Sequence, residues 1–307
     1  MGSLSYSLII PTLNRPELLK KLLSSIARQS RLPSEIVLVD QSDDELTREA
    51  FERWQMPGVD KKYLPREVKS LVLARNAGID ACGKADLVAF LDDDITLDPN
   101  FCEELVLVLE KDTARVYAGG MGCVACWDRR PKLFQAFFLM PHEGSGRFLA
   151  SGAPTFTHGL PYFCDTEFVS GGCTFWRREI VARYRFDERL SGYAHGDDVD
   201  ISYRVSKEYK LFFQPKAICF QDPAPPNQQN GKKYRRAWVQ NMYYLAQKNG
   251  VSMAAYGWCV LGHLLRDLVC RDLSSLQGGL EGTRNILRGR LDTIRGYDDF
   301  LKERRAA

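Results

Sequence analysis

One pattern in the first hundred residues of this 307-residue chain restricts its fold more than any other: short, predominantly apolar runs without polar alternation, each followed by a segment with apolar residues at helical spacing. Tyr6 to Ile10 is such a run and stops at Pro11-Thr12, after which Leu18, Leu19, Leu22, Leu23 and Ile26 line one side of a helix over Glu17 to Ala27. Glu35 to Val39 repeats the run and ends at Asp40. Ser42-Asp43-Asp44-Glu45 then supplies helix-start chemistry for a segment reaching about Trp54. Further strands are predicted at Val59 to Leu64 and at Leu87 to Leu91, with a helix over Ser70 to Ala81 between them. Strands without polar alternation are buried on both faces, as in a mostly parallel sheet between two helical layers. Such sheets bind ligands beyond the carboxyl ends of their strands. Pro11-Thr12, Asp40 and Asp92-Asp93-Asp94 all stand at those ends.

Beyond this α/β layer, Asp98-Pro99 restarts a helix carrying Leu105 and Leu109, and Arg115 to Met121 reads as a fifth strand. Residues 123 to 168 are irregular and rich in Gly, Pro and aromatics, the pattern of a long loop region that orders on a ligand. Phe168 to Phe175 reads as a strand broken by Gly171-Gly172, and paired glycines there imply close approach of the backbone to another group. After the turn-rich stretch from Asp222 to Asn230, helices are predicted over Tyr234 to Gln247 and Val251 to Cys270. The most apolar part of the second, Met253 to Leu265, is too short to span a bilayer. The division expected is an α/β domain over 1–230 and a helical extension over 231–307.

Composition narrows the function classes. At 45% hydrophobic and 26% charged, the chain is neither collagenous, disordered nor a polytopic membrane protein. With 42 basic against 39 acidic residues it lacks the charge footprint of a nucleic-acid binder. The charge is uneven, however: 14 basic against 7 acidic residues from position 231 onward, and 28 against 32 before it. A basic helical tail suits peripheral contact with an anionic inner membrane leaflet, and equally a cap on the α/β domain or a contact in a homo-oligomer. Nine cysteines with no secretory signal ahead of them point to free thiols in the cytoplasm. Cys123 and Cys126 are a close pair without a second CxxC, so they are read as buried or incidental thiols.

Two carboxylate clusters carry the chemistry. Asp92, Asp93 and Asp94 repel one another unless a cation or hydrogen-bond donors compensate them, and a hard divalent ion, Mg²⁺ or Mn²⁺, is the simplest compensation. A solvated helix-capping loop is the plainer alternative. In the second cluster, His195-Gly196-Asp197-Asp198-Val199-Asp200, Asp197 and Asp198 fall in the first turn of a helix, where they either only cap it or include a general base facing the first cluster. His195 reads as a surface or packing residue. Arg75, in Arg75-Asn76-Ala77-Gly78 before the aspartate-bearing strand, is either solvated or neutralises a phosphate or a cluster aspartate.

Taken in order, the pieces resemble the inverting glycosyltransferases of family 2, which have the nucleotide-diphospho-sugar transferase fold called GT-A. They are Ile9 to Arg15, Val37 to Asp40, Ala74 to Gly78, Phe90 to Asp94, the Gly171-Gly172 strand leading to Arg177-Arg178-Glu179, and Gly196 to Asp200 with Arg204 behind it, spanning roughly residues 5 to 222. The resemblance implies a Rossmann-like α/β sheet with helices on both faces. It places Pro11, Thr12, Asn14 and Arg15 beside the nucleotide, Asp40 on its base, and Arg75, Asn76, Asp92 and Asp93 along the donor. Asp92 and Asp94 become the Asp-x-Asp pair, with Asp94 and Asp92 as metal ligands. Asp198 becomes the base that takes the acceptor's proton, with Asp197, where the family more often has glutamate, as the other candidate. Two departures stand out: Gln41 where many relatives have a second acid, and Gln221-Asp222 where many have a histidine.

The activity so implied is metal-dependent, inverting transfer of a sugar from a nucleotide diphosphate, UDP or dTDP, to a hydroxyl of a surface glycan or lipid-linked acceptor. It would take place in the cytoplasm or at the inner face of the cell membrane. A diphosphate leaves without protonation once a metal neutralises it, so one carboxylate base suffices and direct displacement inverts the anomeric centre. The alternatives are a sugar nucleotidyltransferase, whose Gly-rich phosphate loop is missing after the first strand, and a non-catalytic glycan-binding or scaffold protein of the same fold.

Overall fold

The computed structural model describes residues 3–125, 133–192, 194–222 and 231–306. The three apolar runs form β1 (Tyr6–Thr12), β2 (Glu35–Asp40) and β4 (Leu87–Leu91), and every residue in them is buried. β1 pairs in parallel with β2 on one side and β4 on the other, and β3 (Asp60–Pro65) extends the sheet in parallel beyond β2. The crossovers are α1 (Pro16–Ile26), α2 (Leu46–Arg53) and α3 (Leu71–Ala81). α1 buries the apolar face predicted for it. α3 is buried from Ala74 through Ile79, because Gly78 lets it close on β1: a Cβ at Gly78 would collide with the Ile9 side chain. Asn76 and Arg75 are thereby carried into the interior.

Past β4 the sheet becomes mixed. The next elements are β5 (Ile95–Leu97), α4 (Phe101–Lys111), β6 (Tyr117–Val124), α5 (Leu133–Phe137), β7 (His142–Glu143), β8 (Thr155–Phe156), β9 (Cys164–Thr166), β10 (Cys173–Arg177), α6 (Arg178–Tyr184), α7 (Asp197–Val205) and β11 (Lys210–Gln221). β10 runs antiparallel between β4 and β6, and β11 lies parallel to β6. The first half of β11 pairs with β9 and its end with β5, both antiparallel. The resulting order is β3-β2-β1-β4-β10-β6-β11-β5, with β9 attached to β11 and a separate β7-β8 pair. The strand expected from Phe168 starts only at Cys173, after the two glycines, and β5 follows the aspartates before the expected helix. Three residues are too few for a periodic signal, and β5 exists because β11 is long enough to pair with it.

Four helices follow instead of the two expected: α8 (Gly231–Lys248), α9 (Met253–Val269), α10 (Leu273–Leu287) and α11 (Tyr297–Ala306). The glycines that hide α10 from propensity arguments seat it on α8, since a Cβ at Gly278 would collide with the Lys232 carbonyl. Val239, Met242, Tyr244, Leu245, Tyr256 and Val260 of these helices join the same hydrophobic cluster as the sheet. The eight described cysteines are free. Cys126 and the turn-rich stretch up to residue 230 lie outside the described residues.

Candidate active site

The carboxyl ends of β1 and β4 are tied together by Asp93. The Thr12 hydroxyl donates to Asp93 Oδ2 at 2.7 Å and Arg15 Nη1 to Oδ1 at 2.8 Å, with Asp94 Oδ2 3.5 Å from the same nitrogen. Burial raises the Asp93 carboxyl above the ordinary range although Arg15 and Thr12 pull it down. Asp94 is pushed up to about 6, first by burial and then by the charges of Asp92 and Asp93. Its Oδ1 is buried and accepts no hydrogen bond from the described residues. A partnerless carboxylate oxygen beside a second carboxylate is what a divalent cation satisfies. Among the described residues no three His, Cys, Asp or Glu side chains are grouped to hold a metal. Asp92 and Asp94 would be the two carboxylates to hold such a cation, and its remaining ligands would have to come from outside these side chains.

Arg75 joins this cluster to the second. Its side chain is 2% exposed, and it donates to Asp197 from Nη1 and to Asp92 Oδ1 from Nη2, the latter at 3.2 Å. Burial opposes its charge, but Asp197, Asp92 and Asp198 outweigh burial and hold it firmly protonated. Asp197 and Asp198 are both raised above the ordinary carboxylate range, burial being the largest cause. Asp197 is committed to the arginine. Asp198 is half-buried and, among the described residues, accepts from backbone groups, the Gly171 N–H at 3.3 Å and the Val199 N–H at 2.8 Å. The close approach expected at the glycine pair is an approach to this network: a Cβ on Gly171 would lie 2.7 Å from Arg75 Nη1, and one on Gly172 would collide with the Asp92 carboxylate.

The remaining candidates divide. Asp40 is buried at the end of β2, accepting from the Tyr63 hydroxyl and the Ser42 N–H, each at 2.9 Å. Pro11 is buried within β1, one residue before Thr12. Asn14, at a φ of 55°, donates to Asp43 Oδ2 and accepts from the Asp43 N–H, locking the β1–α1 and β2–α2 loops together. Asn76 is not brought into the cluster. It donates to the Phe186 carbonyl and Glu188 and accepts from the Phe186 N–H, so it fixes the segment after α6 against α3. Gln41 bonds the Val68 and Ser70 carbonyls, which pins the connection into α3. At the other departure, Gln221 lies near enough to pull the Asp94 carboxyl down slightly and the Asp222 N–H donates to the Asp94 carbonyl at 2.8 Å, so the end of β11 borders this side of the site.

The tail also contributes neighbours that no motif announced. Tyr234 of α8 packs its ring 4.0 Å from that of His195, and Asn241 donates to the His195 carbonyl at 3.0 Å. The turn ahead of Asp197 and Asp198 therefore rests on α8. Gly196, at a φ of 91°, faces Leu245 and Met242 of the same helix.

A family model described as Glycosyl transferase family 2 matches residues 7–185. Validoxylamine A glucosyltransferase of Streptomyces hygroscopicus subsp. limoneus is 28% identical over 221 residues, covering 65% of this chain and 47% of that protein. The O-antigen biosynthesis protein RfbC of Myxococcus xanthus is 28% identical over 227 residues, covering 67% of this chain and 16% of that protein. The chain thus matches less than half the length of either relative. Among solved structures, GalNAc-T7 with UDP, GalNAc and Mn²⁺ superposes with a TM-score of 0.62 at 18% identity, covering 80% of this chain and 48% of that one. The mannosyltransferase PcManGT of Pyrobaculum calidifontis, in complex with GDP-Man and Mn²⁺, gives 0.56 at 16% identity, covering 100% and 81%. These two show the shared GT-A fold. With the family model matching more than half of its length, this chain belongs to glycosyl transferase family 2.

Proposed function

We propose that this chain is a metal-dependent, inverting glycosyltransferase that moves a sugar from a nucleotide diphosphate, UDP or dTDP, to a hydroxyl of a surface-glycan or lipid-linked acceptor, working in the cytoplasm or at the inner face of the cell membrane. The observation that carries this reading is Arg75. One buried guanidinium binds both a carboxylate of the Asp92–Asp94 cluster and one of the Asp197–Asp198 pair, so donor-side and acceptor-side groups belong to one ion-paired network.

On this reading Asp92 and Asp94 hold Mg²⁺ or Mn²⁺, which neutralises the leaving diphosphate when bound. Asp93 keeps Arg15 and Thr12 in register beside the nucleotide, and Asp40 accepts from its base. Asp198 is the base. Burial raises its affinity for a proton, its oxygens accept backbone N–H groups among the described residues, and Asp197 next to it is occupied by Arg75. An acceptor hydroxyl lying against Asp198 Oδ loses its proton there as its oxygen attacks the anomeric carbon.

Calorimetric titration with UDP, GDP, dTDP and CMP, each with Mn²⁺ and with EDTA, tests the donor side on wild type and Asp94→Ala. Metal-dependent binding of one diphosphate that the substitution removes is expected, and no binding of any nucleotide would refute the reading. Asp198→Asn should abolish transfer while leaving that binding intact.

A further inference from the structure

The side of α9 that faces away from the sheet carries no charge over its whole length. Gly257, Trp258, Leu261, Leu265, Leu268 and Val269 succeed one another at spacings of one, three and four and are all exposed, whereas Tyr256, Cys259, Val260, His263 and Asp267 point inward. The stripe continues onto neighbouring helices. On one side Trp258 donates its indole N–H to the Phe137 carbonyl at 2.9 Å and lies 5.5 Å from the Phe137 ring, which with Leu133 makes α5 a second exposed apolar ridge. On the other side Gly279 of α10 sits against Leu264, which turns Leu276, Leu280 and Leu287 toward the same flank of α9. Leu133 and Leu287 are more than four-fifths exposed. An apolar band across three helices is larger than scattered surface leucines account for.

Its edge is basic. Arg271 follows the end of α9, and Arg284 and Arg288 rise from α10 beside Leu280 and Leu287. All three are exposed and none has a carboxylate partner among the described residues. Among the described residues no helix is long and apolar enough to cross a membrane.

We propose that this band is the docking surface for an anionic lipid bilayer, with α9 lying in the headgroup plane, its leucines and Trp258 in the acyl boundary and the three arginines on headgroup phosphates. Apolar contact rimmed by cations that lack carboxylate partners among the described residues is complementary to that surface. A second copy of the chain could cover the leucines but would bring rims of like charge together. The surface stands apart from the transferase reading, since binding to vesicles needs neither nucleotide nor acceptor, and under that reading it accounts for a lipid-linked acceptor.

The test is co-sedimentation of the full chain with vesicles of phosphatidylcholine alone and of phosphatidylcholine with phosphatidylglycerol, at low and high salt. Wild type, the pair Leu261→Glu with Leu265→Glu, and the pair Arg284→Glu with Arg288→Glu are compared, each first checked for an unchanged thermal transition. Binding to the anionic vesicles should be at least about tenfold tighter than to neutral ones, weaken with salt, disappear in the leucine pair and fall to the neutral level in the arginine pair. Failure to bind anionic vesicles overturns the proposal, as does binding that neither pair changes. A dimer by light scattering that the leucine pair converts to monomer, without vesicle binding, reassigns the face to self-association. If the leucine pair does not fold, the arginine pair alone decides, because its positions are exposed and unpaired.

Discussion

At the scale of single residues, the site is built against its own stability. The Asp94 carboxyl titrates near its ordinary value in the unfolded chain and at about 6 in the fold. Between those values the folded protein binds the extra proton, so ionising Asp94 destabilises it, and the loss is complete above about pH 6. Asp94→Asn should therefore stabilise the metal-free protein near neutral pH by about 2 kcal/mol, with the gain vanishing by about pH 4. Urea unfolding at the two pH values measures this, and an equal effect at both would show that charge is not the cause. Arg75 works in the opposite sense. Arg75→Met leaves Asp197 buried with no cation and should cost about 3–5 kcal/mol, most of it recovered when Asp197→Asn is added. A double variant as unstable as the single one would mean that the loss is packing against Phe186, which lies 5.3 Å from the guanidinium, and not charge.

At the scale of elements, the segment from Gly171 to Arg177 shows how local sequence sets the cleft. The glycines let the chain entering β10 pass against Asp92 and Arg75, and the Gly171 N–H and Gly172 carbonyl bond Asp198 and the Asp92 N–H. Gly172→Ala should push the Asp92 carboxylate out of place and weaken metal-dependent nucleotide binding by about tenfold or more while shifting the unfolding midpoint little, since the collision is with a side-chain end. Unchanged nucleotide affinity would show that Asp92 has room to move. The glycine pair, the apolar strands and the aspartates at their ends were legible because each is a local pattern with a direct steric or electrostatic meaning. Asn14 and Asn76 lie in the expected motifs, yet their side chains fix loops, and a motif does not encode which neighbour a side chain meets. β5 and α10 were hidden for a related reason: one is too short to show a period, and the other is a helix only because its glycines press against α8.

For the whole molecule, the question is whether the chain divides near residue 230. Packing across that position is extensive: Lys248 bridges Asp187 and the fully buried Asp200 at 2.7 and 2.9 Å, Tyr244 donates to Asp187 at 2.7 Å, and Asn249 reaches Asp200. Leu245 and Met242 sit beneath Gly196, directly ahead of the aspartate pair. A chain ending at 230 would leave Asp187 without its cation, keep only Arg204 on Asp200, and expose the apolar surface that Tyr244 and Leu245 cover. We expect the full chain to unfold in one cooperative transition, and residues 1–230 alone to be protease-sensitive and without a near-ultraviolet circular dichroism signal. A truncated chain that melts like the full one would instead make 231–307 an independent appendage. The first outcome has a mechanical consequence. The helix that would meet the bilayer packs on α8, and α8 holds the turn bearing Asp197 and Asp198, so the orientation of the molecule on a membrane and the position of its acceptor-side carboxylates would be set by the same contacts.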